Sequence, residues 1–206
     1  MSGLKVIAAP VAEPISLELA RLHLRLDVND DSPPTHHDDP WLEGIGIPAA
    51  REWCEGWMER ALAPQVLELA LDAFPSGAIE LPGSPVSAID SLKYLDADGA
   101  EQTLAADQYV LDSYVDPALL SPAYGTTWPA ARATTNSVRV RYSAGYTLPG
   151  DSPDAAPLPF AIRAAILLVL GALYENRENS AAIKQEDIPL GARSLLQPYR
   201  LRTSMA

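Results

Sequence analysis

The chain has 206 residues, of which 48% are hydrophobic and 20% are charged, a composition that suits a soluble globular protein with one sizeable domain. Its formal net charge of −12 argues against a protein that grips nucleic acid by neutralising phosphates. The single cysteine, Cys54, excludes an intrachain disulfide and a cysteine zinc site. The net negative charge lies in the first 150 residues, because residues 151–206 carry six acids and six bases and are neutral overall.

Residues 1–15 predict an extended N-terminal arm, since Pro10 and Pro14 interrupt any regular helix there. The brief apolar run at residues 6–9 ends at Pro10 and is too short for the apolar region of a signal peptide. We therefore expect no secretory leader.

Ser16 is the predicted N-cap of a short helix that runs to about Leu26, although alternating leucines leave a strand possible there. Residues 29–40 form a polar, proline-containing loop. A second helix is predicted within residues 41–62. Glycines disturb its first half, so a kink, or a restart with Pro48 in the first turn, is expected.

Short apolar runs punctuated by Pro and Gly predict a small antiparallel β unit between residues 64 and 150. Asp98-Gly99 is the turn signal of a hairpin. The predicted strands are the alternating run Val66–Leu71, then Ile79–Leu81, Val86–Leu95, Tyr109–Leu111 and Ser137–Tyr142.

After a proline-rich linker at residues 150–159, residues 161–178 are apolar almost all round and predict a helix in the middle of a helical core. The most apolar stretch, Phe160 to Tyr174, is interrupted by Arg163 and is shorter than the roughly 20 residues needed to cross a bilayer, so we predict no membrane association. Residues 188–196 predict a further short helix.

This order of elements predicts an α+β fold, in which a bundle-like helical core carries an inserted small antiparallel β unit. We expect a single domain over residues 1–206. Its predicted parts are the arm (1–15), a helical part (16–63), the β insertion (64–150), a C-terminal helical part (151–198) and a tail (199–206).

Six segments in order resemble the head–tail connector (adaptor, head-completion) proteins of long-tailed phages and gene-transfer particles. They are Glu13–Asp27, Ala49–Leu62, Ser91–Leu104, Val138–Tyr146, Pro159–Glu178 and Ile188–Arg200. The chain departs from the family pattern in its acidic loop, which is lengthened by SPPTHH, and in Gly44, Gly46 and Pro48, which fall where the family's helix is regular.

The resemblance implies a non-catalytic virion subunit, made in the host bacterial cytoplasm and located in the neck of the particle. It implies a homo-oligomeric ring, a dodecamer as a rule, that binds the portal protein and the next neck or tail-completion protein. The ring extends the DNA channel, and DNA passes through without specific binding. No cofactor is implied.

Two groups of contact residues are predicted. Arginines concentrated near the end of an otherwise acidic chain suggest a portal contact, and exposed basic or helix-terminal residues suggest contacts between subunits. Arg139 and Arg141 also fit ion pairs with acids of the same surface. The predicted portal contacts are Arg193, Tyr199, Arg200 and Arg202. The predicted inter-subunit contacts are Arg139, Arg141, Tyr174 and Arg177.

Other chemistries find little support in the sequence. The adjacent His36, His37, Asp38 and Asp39 do not converge on one ion without a special loop, so we predict a solvated acidic loop and no metal. No nucleophile or phosphate-loop motif is present, so no catalytic residue is predicted, and a hydrolase using a carboxylate pair is the least favoured reading.

The main alternative is a small-molecule or glycan-binding module that uses the aromatic side chains of the β insertion. These are Tyr109, Tyr114, Tyr124 and Trp128.

Overall fold

The computed structural model describes residues 2–148, 157–176 and 190–201. The helices in these ranges are α1 (Leu17–Leu24), α2 (Asp39–Trp41), α3 (Ile47–Met58), α4 (Phe160–Glu175) and α5 (Leu190–Leu196). The strands are β1 (Ser2–Ala8), β2 (Gln65–Leu71), β3 (Ile79–Leu81), β4 (Val86–Leu95), β5 (Glu101–Leu104), β6 (Tyr109–Asp112), β7 (Ala118–Pro122) and β8 (Val138–Ala144). Arg177, Arg202 and most of the predicted linker lie outside the described residues.

The strands of the described ranges form two antiparallel sheets. One has the order β1-β2-β8-β4-β5, and the other has the order β3-β7-β6. Strand β8 shows why they pack together, because Val138, Val140 and Tyr142 are buried while Arg139 and Arg141 point to the opposite face. The sheets bury one shared apolar layer, which we call the sheet core. It includes Leu67, Leu69, Ile79, Leu81, Leu92, Leu120, Val138, Val140 and Tyr142.

The helices bury a separate apolar cluster, which we call the helical core. Helix α4 supplies its centre, as its apolar sequence predicts, since Ile162, Ile166 and Leu170 are fully buried. Helix α5 packs on α4 through Ala192 and Leu196. None of the described helices is long and apolar enough to cross a membrane.

The predicted fold class is wrong in its proportions. The molecule is a sheet-rich α+β fold with 32% helix and 28% strand, rather than a helical core with a small β insertion. The main reason is β1, which precedes the first helix yet pairs with β2 in the larger sheet. Strand β7 also extends the second sheet, and the sequence analysis did not predict it. The proposed division into domain parts stays a prediction.

Several local predictions are confirmed. The Ser16 hydroxyl accepts a hydrogen bond from the Leu19 N–H at 3.2 Å, which caps α1. The irregularity before Pro48 is a π-helical segment, Leu42–Gly46, between α2 and α3, and Pro48 lies in the first turn of α3. Strands β4 and β5 pair across the predicted Asp98-Gly99 turn.

The helical and sheet cores meet at the connection between α3 and β2. Leu62 is buried in the helical core, and its neighbour Ala61 is buried in the sheet core. Arg60 strengthens this junction, because its guanidinium donates to the Tyr199 carbonyl and to the Asp116 carboxylate, the latter at 2.6 Å. One arginine thus connects the α3–β2 junction to the C-terminal segment and to the loop before β7.

Candidate assembly surfaces

Two of the predicted portal contacts, Arg193 and Arg200, come together around one tryptophan of α3. The guanidinium carbons of Arg193 and Arg200 lie 4.9 Å and 5.2 Å from the centroid of the Trp57 ring, within the range of cation–π attraction. Trp53 stacks on Trp57 from the same helix, with ring centroids 6.0 Å apart. Tyr199 follows α5 in a short 3₁₀ helix, Gln197–Tyr199.

Hydrogen bonds of backbone atoms hold this basic patch in place. The Leu201 N–H donates to the Met58 carbonyl at 3.0 Å, and the Leu201 side chain is buried. The Tyr199 carbonyl accepts from Arg60, as described above. Arg200, between these two residues, is exposed, so its charge is presented at a fixed position on the surface. Whether the patch contacts a portal stays a prediction.

The outer face of the larger sheet carries a row of ion pairs. Arg141 donates twice to one carboxylate oxygen of Glu68, at 2.8 Å and 3.1 Å. Arg139 pairs with Glu101, which also binds Lys93 at 2.9 Å. The Lys93 hydrogen bond is the main reason that the pKa of Glu101 lies below its usual value. The alternative reading of both arginines as surface ion pairs is therefore confirmed, and their inter-subunit contact stays a prediction.

Tyr174, a predicted inter-subunit contact, bonds within the chain at the end of α4. Its hydroxyl donates to the Asp38 carboxylate at 2.5 Å, and its ring meets the Trp41 ring edge-on at 5.8 Å. These contacts join the end of α4 to the loop that precedes α2. Tyr174 is half-buried, so a further contact to a neighbouring subunit stays a prediction.

The histidine-containing loop is more ordered than predicted. Arg21 binds both carboxylate oxygens of Asp39, at 2.7 Å and 2.5 Å, and the His36 N–H donates to the same carboxylate at 2.7 Å. Asp39 is buried rather than solvated. Donor atoms of His36, His37 and Asp38 lie within 4.8 Å of one another, but Asp38 already accepts from Tyr174. This loop thus brings the three side chains together, and the absence of a metal stays a prediction.

The aromatic side chains that suggested a glycan-binding module do not form one platform. Trp128 stacks on Phe74 with centroids 5.0 Å apart, and its indole N–H donates to the Gly77 carbonyl. Tyr109 packs against the sheet core, and burial raises its pKa. Tyr114 and Tyr124 are fully exposed, but they follow opposite ends of the β6–β7 hairpin.

A groove with a volume of about 520 Å³ runs between residues 8–12 and the ends of β2 and β8. Its described lining is apolar or uncharged, with Val11, Tyr146 and Leu148 among the larger side chains. The described lining contains no carboxylate, histidine, lysine or arginine, and Tyr146 is its one titratable side chain.

No protein-family model matches the sequence, and no curated protein is significantly similar to it. Solved structures of gene transfer agent particles contain similar chains. A chain of the virion of the native particle is 26% identical over 98% of this chain and 97% of that chain, with a TM-score of 0.74.

A chain in the neck of the empty particle, computed with C6 symmetry, is 25% identical over 98% of this chain and 97% of that chain, with a TM-score of 0.72. A chain in the neck of the native particle, computed with C12 symmetry, is 25% identical over 97% of both chains, with a TM-score of 0.64.

The predicted resemblance to connector proteins of gene-transfer particles is thus confirmed, and so is the predicted location in the neck of the virion. The neighbours are structural virion and neck chains, which supports a structural role. The C6 and C12 symmetries of the neck structures support a homo-oligomeric ring.

Proposed function

We propose that this chain is a head–tail connector subunit that forms a ring, a dodecamer in our proposal, below the portal of a phage-like particle. The ring extends the DNA channel, joins the head to the tail and presents a surface to the next neck or tail-completion protein. The observation that carries this proposal is the likeness to virion and neck chains of gene transfer agent particles, which covers 98% of the chain rather than one motif. No catalytic role is proposed.

The charge of the chain supports a conduit function. A net charge of −12 repels DNA phosphates, so a channel built from such subunits would not retain the DNA that passes through it.

The basic patch around Trp57 is our candidate for the portal contact, because it is positively charged on a chain whose net charge is negative. Arg193 and Arg200 hold two positive charges within 5.2 Å of one ring, and Arg200 is exposed. A fixed basic patch on an acidic subunit favours an acidic partner surface, because complementary potentials set the orientation of docking.

The proposed function is tested by electron microscopy of particles from a strain in which this gene carries an early stop codon. We expect heads without DNA beside unattached tails, and a plasmid copy of the gene should restore tailed particles. Normal tailed particles from the stop-codon strain would refute the connector role.

The portal contact is tested by Arg200→Glu, with Arg25→Glu as the control, because Arg25 is also exposed but follows α1. We expect the Arg200 change to reduce co-purification with the portal protein and the Arg25 change to leave it intact. A truncation should remove only residues 202–206, since a cut at residue 199 would also remove the buried Leu201. Equal portal binding by both arginine variants would argue against this contact.

A further inference from the structure

Strand β1 ends the larger sheet with an uncovered apolar edge. It pairs with β2 on one side only, and its other side carries no strand among the described residues. Leu4 and Val6 are 48% and 51% exposed although they lie opposite the buried Leu69 and Leu67 of β2. Paired residues point to the same face, so Leu4 and Val6 lie on the face of the sheet that carries the sheet core. No other part of the described chain buries them. Soluble monomers rarely leave such an edge open.

A second open edge lies on the other side of the molecule. Strand β6 ends the smaller sheet, with Leu111 against the sheet core and with Val110 and Asp112 exposed on the outer face. Strand β6 follows β5 through one 3₁₀ turn, Ala106–Gln108, and β5 ends the larger sheet opposite β1. Strands β1 and β6 therefore lie on opposite sides of the paired sheets.

We infer that β1 of one subunit pairs antiparallel with β6 of the next subunit around the ring, an inference that rests on the proposed ring function. Two different edges on opposite sides are what a heterologous, ring-forming interface requires. Backbone bonds along the added strand supply affinity, and the alternate side chains select the partner.

The side chains of the two edges are complementary in one register. With Lys5 opposite Asp112, Val6 lies opposite Leu111, so unlike charges meet on the outer face and apolar groups meet on the inner face. Neither Lys5 nor Asp112 forms an ion pair within the described chain, and the Asp112 carboxylate accepts only the Tyr114 N–H.

Strand β5 suits the same role less well. Its residues Glu101 to Thr103 are exposed and polar, so they offer no apolar partner for Val6. Glu101 already forms ion pairs with Lys93 and Arg139 of its own chain. We therefore expect β6, and not β5, of the neighbouring subunit to pair with β1.

The inference is tested by introducing Lys5→Cys and Asp112→Cys together in the chain and purifying the assembled particles. Opposed residues in an antiparallel pair have Cα atoms about 4.5–5.5 Å apart, which a disulfide can bridge. On mild oxidation we expect a ladder of subunit multimers on a non-reducing gel. The single-cysteine variants should remain monomeric, because the native Cys54 is buried. Lys5→Cys with Thr103→Cys tests β5 as the alternative partner.

Particles that contain the Lys5/Asp112 cysteine variant at the wild-type amount, but give no ladder, would overturn the inference and leave the connector role intact. A ladder from the Lys5/Thr103 pair instead would also overturn it. Absence of the wild-type chain from particles would refute the proposed function itself.

If the cysteine variant does not assemble, exchanging the charges of Lys5 and Asp112 tests the inference instead. Lys5→Asp alone and Asp112→Lys alone should each lower the amount of subunit in particles by about tenfold, because like charges then face each other. The double exchange should restore it, and a double variant as poor as the singles would overturn the inference.

Discussion

Arg51 illustrates how single buried residues hold the molecule together. Its side chain is 6% exposed and donates to Glu13 at 2.8 Å and to Glu55 at 2.6 Å. Glu55 also accepts from the Leu62 N–H and the Gln65 amide, so the cluster joins the N-terminal segment, α3 and β2. Burial lowers the pKa of Arg51, but the two acids outweigh it and raise the pKa overall. The guanidinium therefore stays charged in the folded protein.

Arg51→Met is expected to destabilise the protein by about 3 kcal/mol, because it leaves the carboxylate of Glu55 buried without its main partner. The midpoint of urea unfolding measures this loss. Glu52→Gln is the control, since Glu52 is exposed and lies 3.5 Å from Arg51, and it should cost less than about 0.5 kcal/mol. Equal effects of the two changes would mean that the Arg51 cluster contributes nothing specific.

Asp39 makes stability depend on pH. Its pKa lies below the usual 3.8, chiefly because of the hydrogen bond from Arg21, against the opposing effect of burial. A depressed folded-state pKa adds stability above 3.8 that is lost as pH falls through the folded value. The stability difference between the wild type and Asp39→Asn should therefore be largest near neutral pH and shrink below pH 3.8. Urea midpoints across this range test it, with the exposed Asp27→Asn as control.

At the scale of elements, the ends of helices and strands are set by backbone geometry. Gly145, directly after β8, has φ +114°, and an added Cβ would lie 2.2 Å from the Ala63 carbonyl oxygen. Its N–H donates to the Pro85 carbonyl at 2.9 Å. This close approach brings the end of β8 against the α3–β2 connection, where the helical and sheet cores meet.

Gly145→Ala should destabilise the protein by about 2 kcal/mol or more, because both the positive φ and the contact with backbone oppose a side chain. Gly56→Ala provides a matched control with the opposite sign. Gly56 lies in α3 with nothing within 4 Å of an added Cβ, so alanine should stabilise by about 0.5–1 kcal/mol. Thermal unfolding of the two variants measures the contrast, and equal shifts would contradict it.

At the scale of the whole molecule, the net charge and the unpaired sheet edges determine which partners the chain binds. The acids and bases of the outer sheet face neutralise one another locally, as in the Arg141–Glu68 pair, while the total remains at −12. Long-range repulsion of polyanions follows from that total, and specific association follows from local features such as the β1 edge and the Trp57 patch.

The purified protein should bind double-stranded DNA more weakly than about 10⁻⁴ M at physiological salt, because it lacks the excess of bases that phosphate contacts require. Fluorescence anisotropy of a labelled duplex measures this, with a basic DNA-binding protein as the positive control. Tight binding that weakens steeply as salt is added would contradict the conduit role.

Local rules account for what the sequence by itself determined. The Ser16 cap, the alternation in β8, the Asp98-Gly99 turn and the break before Pro48 each depend on residues within one or two turns of chain. The resemblance to connector proteins was also evident from the order of segments, and the solved neck structures confirm it.

Tertiary structure alone decided the features that join distant parts of the chain. The strand β1 was predicted as an arm because its partner β2 lies about 60 residues later, and no local pattern identifies an edge strand that depends on such a partner. Arg193 and Arg200 were predicted as portal contacts from their charge, and only the fold shows that both lie over Trp57 of α3. Asp39 looked solvated until folding placed Arg21 beside it. Pairings of this kind arise from packing, because long-range contacts depend on how elements meet rather than on neighbouring residues.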